Sequence, residues 1–342
     1  MKRWMKLNGK HRMKMLLFVI VVSLFVSGCA SPGGIIRNSQ GTTDYNPHQG
    51  SQGLELRFVK DNPPLTVYDT NDAHDKFPLM IEVWNRGAAD IDGSTLDGYI
   101  YLSGYDPSIL PGLAPYKRIA PLKGKSPYNS MGGYKIIDMS CNSGDSCATP
   151  SAELNLPDGV SEYRPRIQAT ACYEYITEAS ATVCIDGNPY TGIEDKPCRV
   201  GQVDGTGSQG APVAVSSIEE IAMPGSVQFR IYVSNVGGGK VVDRNTITWP
   251  PATQGAHSCP QNLGFEDLGT LTYSVTLSGS PPSTACEPSA DEFKLVDGRG
   301  VIFCTFDVPT TETYVAPLNI RLEYGYMQSI SQDVTIRNIR TQ

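Results

Sequence analysis

Histidine is scarce in this sequence, and the motifs of the common hydrolases are absent. The chain has 4 histidines in 342 residues, and His48, His74 and His257 stand alone in stretches rich in Gly, Pro, Asn or Asp. No G-x-S-x-G or H-E-x-x-H segment occurs. Because a catalytic Ser or Cys needs a base beside it, the sequence predicts a protein that is not an enzyme and that needs no cofactor.

An apolar run long enough to span a membrane is also absent. The apolar run Leu16–Val26 has eleven residues, whereas a spanning helix needs about 20. Its length and basic flank are typical of a signal peptide. It ends in Val26-Ser27-Gly28-Cys29, which resembles the lipobox of bacterial and archaeal lipoproteins. That resemblance implies cleavage after Gly28 and a lipid, such as palmitate, on Cys29. The alternatives are an ordinary secretory signal with an incidental cysteine at position 29, and a retained signal-anchor helix.

Composition divides the chain into four parts. We expect residues 1–28 to be the signal peptide and residues 29–53, rich in Gly, Ser, Gln and Asn, to be a flexible tether. The remaining length suits two domains, at 54–204 and 211–342. Residues 205–210 match G-x-G-x-x-G, but a β-rich run follows instead of a helix, so we interpret them as a linker.

Positive charge is in short supply once the signal peptide is removed. Six of the 28 basic residues lie in residues 1–28 and none of the 35 acidic residues does, so the mature charge is −13 (22 minus 35). An acidic surface repels phosphate backbones, which argues against nucleic acid. We expect an extracytoplasmic protein at the cell surface or envelope, attached to the membrane by its lipid, with a protein or glycan partner.

Cysteine use agrees with export. An even number of cysteines in an exported chain predicts disulfides. Cys141 and Cys147 flank a turn-rich loop and are candidates for a local bridge, as are Cys286 and Cys304 in the second domain. For the other four, either one bridge crosses the domain boundary or each half holds a free thiol. No close pair has the spacing of a zinc site. The eight candidates are Cys141, Cys147, Cys172, Cys184, Cys198, Cys259, Cys286 and Cys304.

One loop concentrates oxygen ligands. Asp69, Asn71, Asp72 and Asp75 fall within seven residues between two expected strands. Calcium takes six to eight oxygen ligands on flexible loops, so these residues form a weak calcium candidate. The alternative is a solvated acidic loop with no metal.

Alternating apolar residues dominate the mature chain, and no long stretch has the apolar face of a helix. The clearest run is Val227, Phe229, Ile231 and Val233, and turn signals such as Gly237-Gly238-Gly239 separate such runs. Strands at this spacing indicate an all-β fold of antiparallel sandwiches.

The sequence also contains an internal repeat. Residues 77–87 match residues 227–237 at an offset of 150, and each block ends in Asn-x-Gly. A later block, residues 167–173, matches residues 320–326 at an offset of 153, and we expect a hairpin there, turning near residues 177–180. The sequence therefore predicts two tandem immunoglobulin-like antiparallel β-sandwiches.

A strand that ends in Asn-x-Gly, as in Ile81–Gly87 and Ile231–Gly237, resembles the CARDB-type and related immunoglobulin-like domains of prokaryotic surface proteins. The order of parts is also similar to secreted proteins of small archaea. The resemblance implies a structural or protein-interaction module of adhesion type. The alternatives are a polysaccharide-binding lipoprotein, with Trp84 and Trp249 stacking on sugar rings, and a hydrolase with its site in an insertion at 105–156.

Overall fold

A computed structural model describes residues 45–70, 75–141, 152–191, 196–204, 209–247, 259, 263–279 and 285–339. Within these ranges the protein is all-β, as predicted, with one 3-10 turn at Arg244–Thr246. No helix in this part of the chain has the length and apolar character needed to cross a bilayer. The strands are β1 (Leu54–Phe58), β2 (Thr66–Asp69), β3 (Met80–Asn85), β4 (Gly98–Ser103), β5 (Tyr116–Arg118), β6 (Tyr134–Asp138), β7 (Glu162–Tyr163), β8 (Arg166–Asp186), β9 (Gln202–Asp204), β10 (Val213–Met223), β11 (Ser226–Asn235), β12 (Lys240–Val242), β13 (Thr272–Leu277), β14 (Ala285–Glu287), β15 (Arg299–Asp307), β16 (Thr313–Asp333) and β17 (Thr335–Asn338).

One sheet contains strands from both predicted domains. Strands β8 and β16 pair antiparallel along all 21 of their residues. On the far side of β8 lie β4 and then β5, and on the far side of β16 lie β12 and β13. We call this the shared sheet. The main-chain groups of β8 and β16 form hydrogen bonds with each other along the whole length of both strands. The two halves are therefore joined by a continuous strand pair as well as by the connecting chain.

Three smaller sheets complete the fold, in the orders β1-β3-β6, β14-β15-β11-β10-β9 and β2-β17-β7. Strand β9, at the end of residues 54–204, pairs with β10 of the following half. Strand β17, at the end of the chain, pairs with β2 and β7 of the first half. Residues Tyr45–Gln342 accordingly form one compact unit. Residues 54–204 and 211–339 are two repeats that exchange strands, and we call them the first and second repeat.

Four buried tyrosines lie on the inner face of the shared sheet, where the repeats meet. Their rings contact one another with centroids 5.7–6.4 Å apart. Burial raises the pKa of each above its ordinary value, so the hydroxyls stay protonated. Each hydroxyl accepts a hydrogen bond from a main-chain N–H of a loop or small sheet packed on this face. The pairs are Tyr173 with Leu54, Tyr175 with Ala89, Tyr324 with Val213, and Tyr326 with Gly239.

The repeated Asn-x-Gly motif holds a turn against this tyrosine layer. Asn235 Nδ2 donates to the Gly239 carbonyl (2.8 Å), and its Oδ1 accepts from the Tyr326 hydroxyl (3.0 Å). Asn85 makes the same contacts with Ala89 (2.8 Å) and Tyr175 (3.4 Å). The motif is therefore a structural element of each repeat, and its asparagine links the turn to the central strand.

These contacts correct the predicted alignment of the later block. The Tyr175 hydroxyl donates to Asn85 and the Tyr326 hydroxyl to the equivalent Asn235, so Tyr175 and Tyr326 are equivalent residues. The offset between the later blocks is therefore 151, whereas the sequence suggested 153. A slip of two residues leaves every side chain on its original face, which is why the alternating pattern did not reveal it. The expected hairpin is also wrong, because residues 177–180 lie inside the continuous strand β8.

Two further boundaries differ from expectation. The predicted insertion at 105–156 contains β6, which pairs with β3 as β15 pairs with β11, so part of it belongs to the repeat. Residues 45–53, within the predicted tether, lie against the folded body. The Gly210 N–H donates to the Gly50 carbonyl (3.1 Å) and the Arg86 N–H to the Gly53 carbonyl (2.7 Å).

Candidate functional site

Two grooves border the outer face of the shared sheet. The first groove has a volume of about 800 Å³ and the second about 620 Å³. Hydroxyl and amide side chains contribute much of both linings. The first includes Tyr101, Ser103, Gln168, Thr170, Met327, Ser329 and Ile330, and the second includes Ser274, Thr276, Glu178, Ala179, Ser180, Asn319 and Arg321.

The two grooves occupy equivalent places in the two repeats. At the offset of 151, Gln168 and Thr170 of the first groove correspond to Asn319 and Arg321 of the second. The same offset relates Glu178 in the second groove to Ser329 in the first. The fold therefore builds the same concave surface twice, with different side chains in each copy.

Strand β8 has an unpaired edge at the second groove. Strand β4 pairs with β8 as far as Tyr173, and the Glu174 N–H donates to the Asp97 carbonyl beyond it. Because main-chain groups alternate in direction along a strand, those of Ile176, Glu178 and Ser180 also point away from β16. Among the described residues, no strand pairs with them on that side.

Strand β16 has the equivalent edge at the first groove. There β12 pairs with β16 only from Gly325 to Met327. From Gln328 to Asp333, no strand in the described part of the chain pairs with β16 on the side away from β8. Each groove therefore ends at a strand edge with main-chain groups available to a further strand.

A network of charged residues borders the second groove and includes two of its lining residues, Glu178 and Arg321. Arg244 Nε donates to Glu174 (2.7 Å), and a second Arg244 nitrogen contacts Glu323. Arg321 bridges Glu323 (2.7 Å) and Glu178 (2.8 Å). Glu174 and Glu178 belong to the first repeat and the other three to the second, so the network fixes the central strands in register across the repeat boundary.

The cysteines form a bridge across that boundary, one of the two arrangements left open by the sequence. Cys172 on β8 is bonded to Cys259 of the second repeat. The other described bridges are Cys184–Cys198 and Cys286–Cys304. Cys141 is also disulfide-bonded, while Cys147 and the lipidation candidate Cys29 lie outside the described residues.

The calcium candidate is described in part. Asp69 is fully buried, and its Oδ2 accepts from the Leu156 N–H (2.9 Å). Asp75 Oδ2 accepts from both the N–H (2.6 Å) and the hydroxyl (2.7 Å) of Thr70. These carboxylates thus hold the chain locally. Asn71 and Asp72 lie outside the described residues, and no group of three possible metal ligands occurs within them.

The other residues singled out from the sequence are dispersed. His48 lines the second groove. Trp84 lies half-buried on the outer face of β3, where it contacts Tyr134. His74, His257 and Trp249 lie outside the described residues. Sequence reasoning missed the grooves, because serine, threonine and glutamine on an outward strand face are also what any solvated sheet carries.

Comparison with protein-family models, curated proteins and solved structures finds no match for this chain.

Proposed function

We propose that this protein is a membrane-anchored, extracytoplasmic interaction module that binds a partner protein by strand addition at the edges of its shared sheet. The observation that carries the proposal is the unpaired edge of β8 at Ile176–Ser180, which opens into the second groove. Main-chain pairing at such an edge supplies affinity, and the side chains that line the groove supply specificity. The proposal assigns no catalytic step.

The pseudo-symmetry supports two sites of the same kind. The edges of β8 and β16 face away from each other across the central pair, so two partner strands would not compete for one edge. The Arg244 network holds the two central strands together, and the Cys172–Cys259 bridge ties β8 to another part of the second repeat. A rigid scaffold with two edges suits a module that joins partners to a cell surface, in line with the resemblance to prokaryotic immunoglobulin-like domains.

The anchor is tested by mass spectrometry of the mature protein purified from its native membrane. We expect the chain to begin at Cys29 with a diacylglyceryl adduct, because Val26–Cys29 resembles a lipobox, and we expect four disulfides. Treatment with a reductant gives the disulfide count by mass. A free thiol at Cys29, or a chain that retains residues 1–28, contradicts the anchor.

The edge is tested by site-specific photo-crosslinking on intact cells. A photoreactive amino acid replaces Glu178, whose side chain lies on the outer face beside the edge. We expect a discrete adduct whose yield falls at least tenfold with the added substitution Ser180→Pro. Proline removes an N–H that faces away from β16, so it blocks an incoming strand and leaves the β8–β16 hydrogen bonds in place.

Two controls accompany this test. The photoreactive residue at Ser216, exposed on β10, should give no comparable adduct. Ser180→Ala, which keeps the main-chain N–H, should leave the adduct yield unchanged. An adduct that persists with Ser180→Pro, in a variant that melts at the same temperature as the parent, excludes strand addition at this edge.

A polysaccharide-binding role is the second candidate, favoured by the lining of the first groove. Tyr101 lies in the same lining as Gln168, Thr170 and Ser329, and an aromatic ring beside amides and hydroxyls is chemistry that suits a sugar. The same crosslinking, with the photoreactive residue at Ser329, separates the candidates. A carbohydrate adduct supports this role, and a peptide adduct supports strand addition.

A further inference from the structure

One segment of this acidic chain carries only positive charge. Between Pro107 and Ile137 the sequence has five basic residues and no Asp or Glu. The segment includes β5, β6 and the turns between them, and β6 is the edge of the first repeat's small sheet. The basic residues are Lys117, Arg118, Lys123, Lys125 and Lys135.

Positive charges converge at one end of this small sheet. Burial lowers the pKa of Lys125, and the nearby Arg86 guanidinium lowers it further. Lys125 Nζ donates to the Gln49 carbonyl (3.3 Å). Glu55 is shared between Arg86 (2.7 Å) and Arg57 (2.8 Å). Glu82, which lies between Arg57 and Ile136 across the strands and hydrogen-bonds Tyr134, is a second carboxylate on this face. The three cations Arg57, Arg86 and Lys125 therefore exceed the two carboxylates by one charge, which an anionic surface would neutralise.

Aromatic and apolar side chains that are partly or fully exposed adjoin these charges. The Trp84 ring centroid lies 4.2 Å from that of Tyr134 and 4.4 Å from the Arg86 guanidinium carbon. Arg86 also donates to the Met131 carbonyl (3.1 Å), and the Tyr128 side chain is fully exposed. We call this surface the basic-aromatic face, formed by Trp84, Arg86, Lys125, Tyr128, Met131, Tyr134 and Ile136.

The second repeat shows that the fold does not require this surface. Ser234 is equivalent to Trp84 at the offset of 150, and its cross-strand neighbour is Arg299, where Trp84 has Tyr134. The sheet therefore forms equally well without the aromatic pair. Trp84 and Tyr134 add a cross-strand aromatic contact to the sheet of the first repeat, and their partly exposed rings can also contact a ligand.

Tyr45, the first of the described residues, lies beside this same face. The Tyr45 hydroxyl donates to the Ser130 carbonyl (2.9 Å), and Gln49 contacts Lys125. Sixteen residue steps separate Tyr45 from Cys29, and even a fully extended chain of that length spans only about 55 Å. A lipid on Cys29 would therefore keep this face near the membrane.

We propose that the basic-aromatic face docks the protein onto the anionic headgroups of the membrane that holds Cys29. Tryptophan, tyrosine and basic residues are the side chains that favour the headgroup layer, and each basic residue near the surface adds about 1 kcal/mol of attraction to anionic lipids. The diacylglyceryl group expected on Cys29 would hold the chain at the membrane, and the face would set its orientation there. The inference rests on the anchor proposed above. Docking would leave the edges of the shared sheet to partners.

The test uses the exported chain with Cys29→Ser, which carries no lipid, and vesicle sedimentation. We expect binding to vesicles of equimolar phosphatidylcholine and phosphatidylglycerol and little binding to phosphatidylcholine alone. The double substitution Arg86→Gln and Lys125→Gln should weaken binding to the anionic vesicles about thirtyfold. Because the Cys29→Ser chain carries no attached lipid, the outcome is independent of whether Cys29 is modified in the cell.

A second variant tests the same face and leaves the Arg86–Glu55 ion pair intact. Tyr128→Ser with Met131→Ser changes only exposed side chains and should also weaken binding, by about tenfold. The control for the Arg86→Gln and Lys125→Gln variant is Lys240→Gln with Arg299→Gln. It also removes one lysine and one arginine charge, but from exposed positions of the second repeat, and it should leave binding unchanged.

Tryptophan fluorescence reports on the face directly. With Trp249→Phe, Trp84 is the remaining tryptophan of the exported chain, and its emission should shift to shorter wavelength on anionic vesicles alone. Equal sedimentation with neutral and anionic vesicles, or sedimentation unaffected by the Arg86 and Lys125 changes, would overturn the proposal. No sedimentation with either vesicle would overturn it as well.

Discussion

Asn85→Ala is expected to lower the free energy of unfolding by about 4 kcal/mol. The Asn85 side chain is fully buried, and its amide nitrogen donates to the carbonyls of Ala89 (2.8 Å) and Leu122 (3.3 Å). Its oxygen accepts from Gly87 N–H (3.1 Å) and the Tyr175 hydroxyl (3.4 Å). Alanine leaves several of these buried groups without a partner, and each costs about 1–3 kcal/mol. Denaturant unfolding at equilibrium measures the change.

The second repeat supplies the matched comparison. Asn235 makes the equivalent contacts with Gly239 and Tyr326 but is only partly buried, so water can replace some of the lost bonds. Asn235→Ala should cost about 2 kcal/mol. Because the repeats share a sheet, each variant should unfold in one transition. A loss under about 1 kcal/mol for Asn85→Ala would show that the motif is not the structural element described.

The alternation of apolar residues was enough to predict the strands. In β11, every second side chain faces the protein core, as the spacing indicated: Val227, Phe229, Ile231 and Val233. A period of two places every second side chain on one face of a strand, and burial of that face is a local property of the segment. The fold class follows from such local patterns, so it could be read from one sequence.

The way in which the strands assemble could not be predicted in the same manner. Nothing in residues 166–186 states that their partner lies almost 150 residues away in β16. The signal that was available is the Tyr-x-Tyr pair in each repeat, at Tyr173 and Tyr175 and at Tyr324 and Tyr326. A protein that buries two tyrosines on one strand needs a hydrogen-bond partner for each hydroxyl, and that need points to a packed layer.

The candidate sites depend on long-range geometry for a related reason. Within the described part of the chain, the edge of β8 has no paired strand beyond the end of β4. The sequence of β8 does not show how long its neighbour β4 is. The bridge between Cys172 and Cys259 depends in the same way on the approach of the two repeats. Trp84 could be placed on an outer face from its strand neighbours, but the Arg86 and Lys125 charges beside it could not.

Glu220→Gln is expected to stabilise the protein at neutral and alkaline pH. Burial raises the pKa of Glu220 from 4.5 to about 7, and the nearby charge of Asp186 acts in the same direction. One carboxylate oxygen accepts from the Cys184 N–H (3.2 Å), while the other has no partner among the described residues. The cost of the buried charge is absent below about pH 4.5, grows as the pH rises to about 7, and is constant above that.

The difference between variant and parent isolates this group from all others that titrate. Glutamine is neutral at every pH, so the variant should match the parent at about pH 4 and exceed it by about 3 kcal/mol at about pH 8. Glu219→Gln, at the neighbouring and much more exposed position, should change stability by less than about 0.5 kcal/mol. A difference that does not vary with pH would mean that Glu220 is already paired or solvated in the folded protein. In that case Glu220 would impose no pH dependence on the contact between β8 and β10.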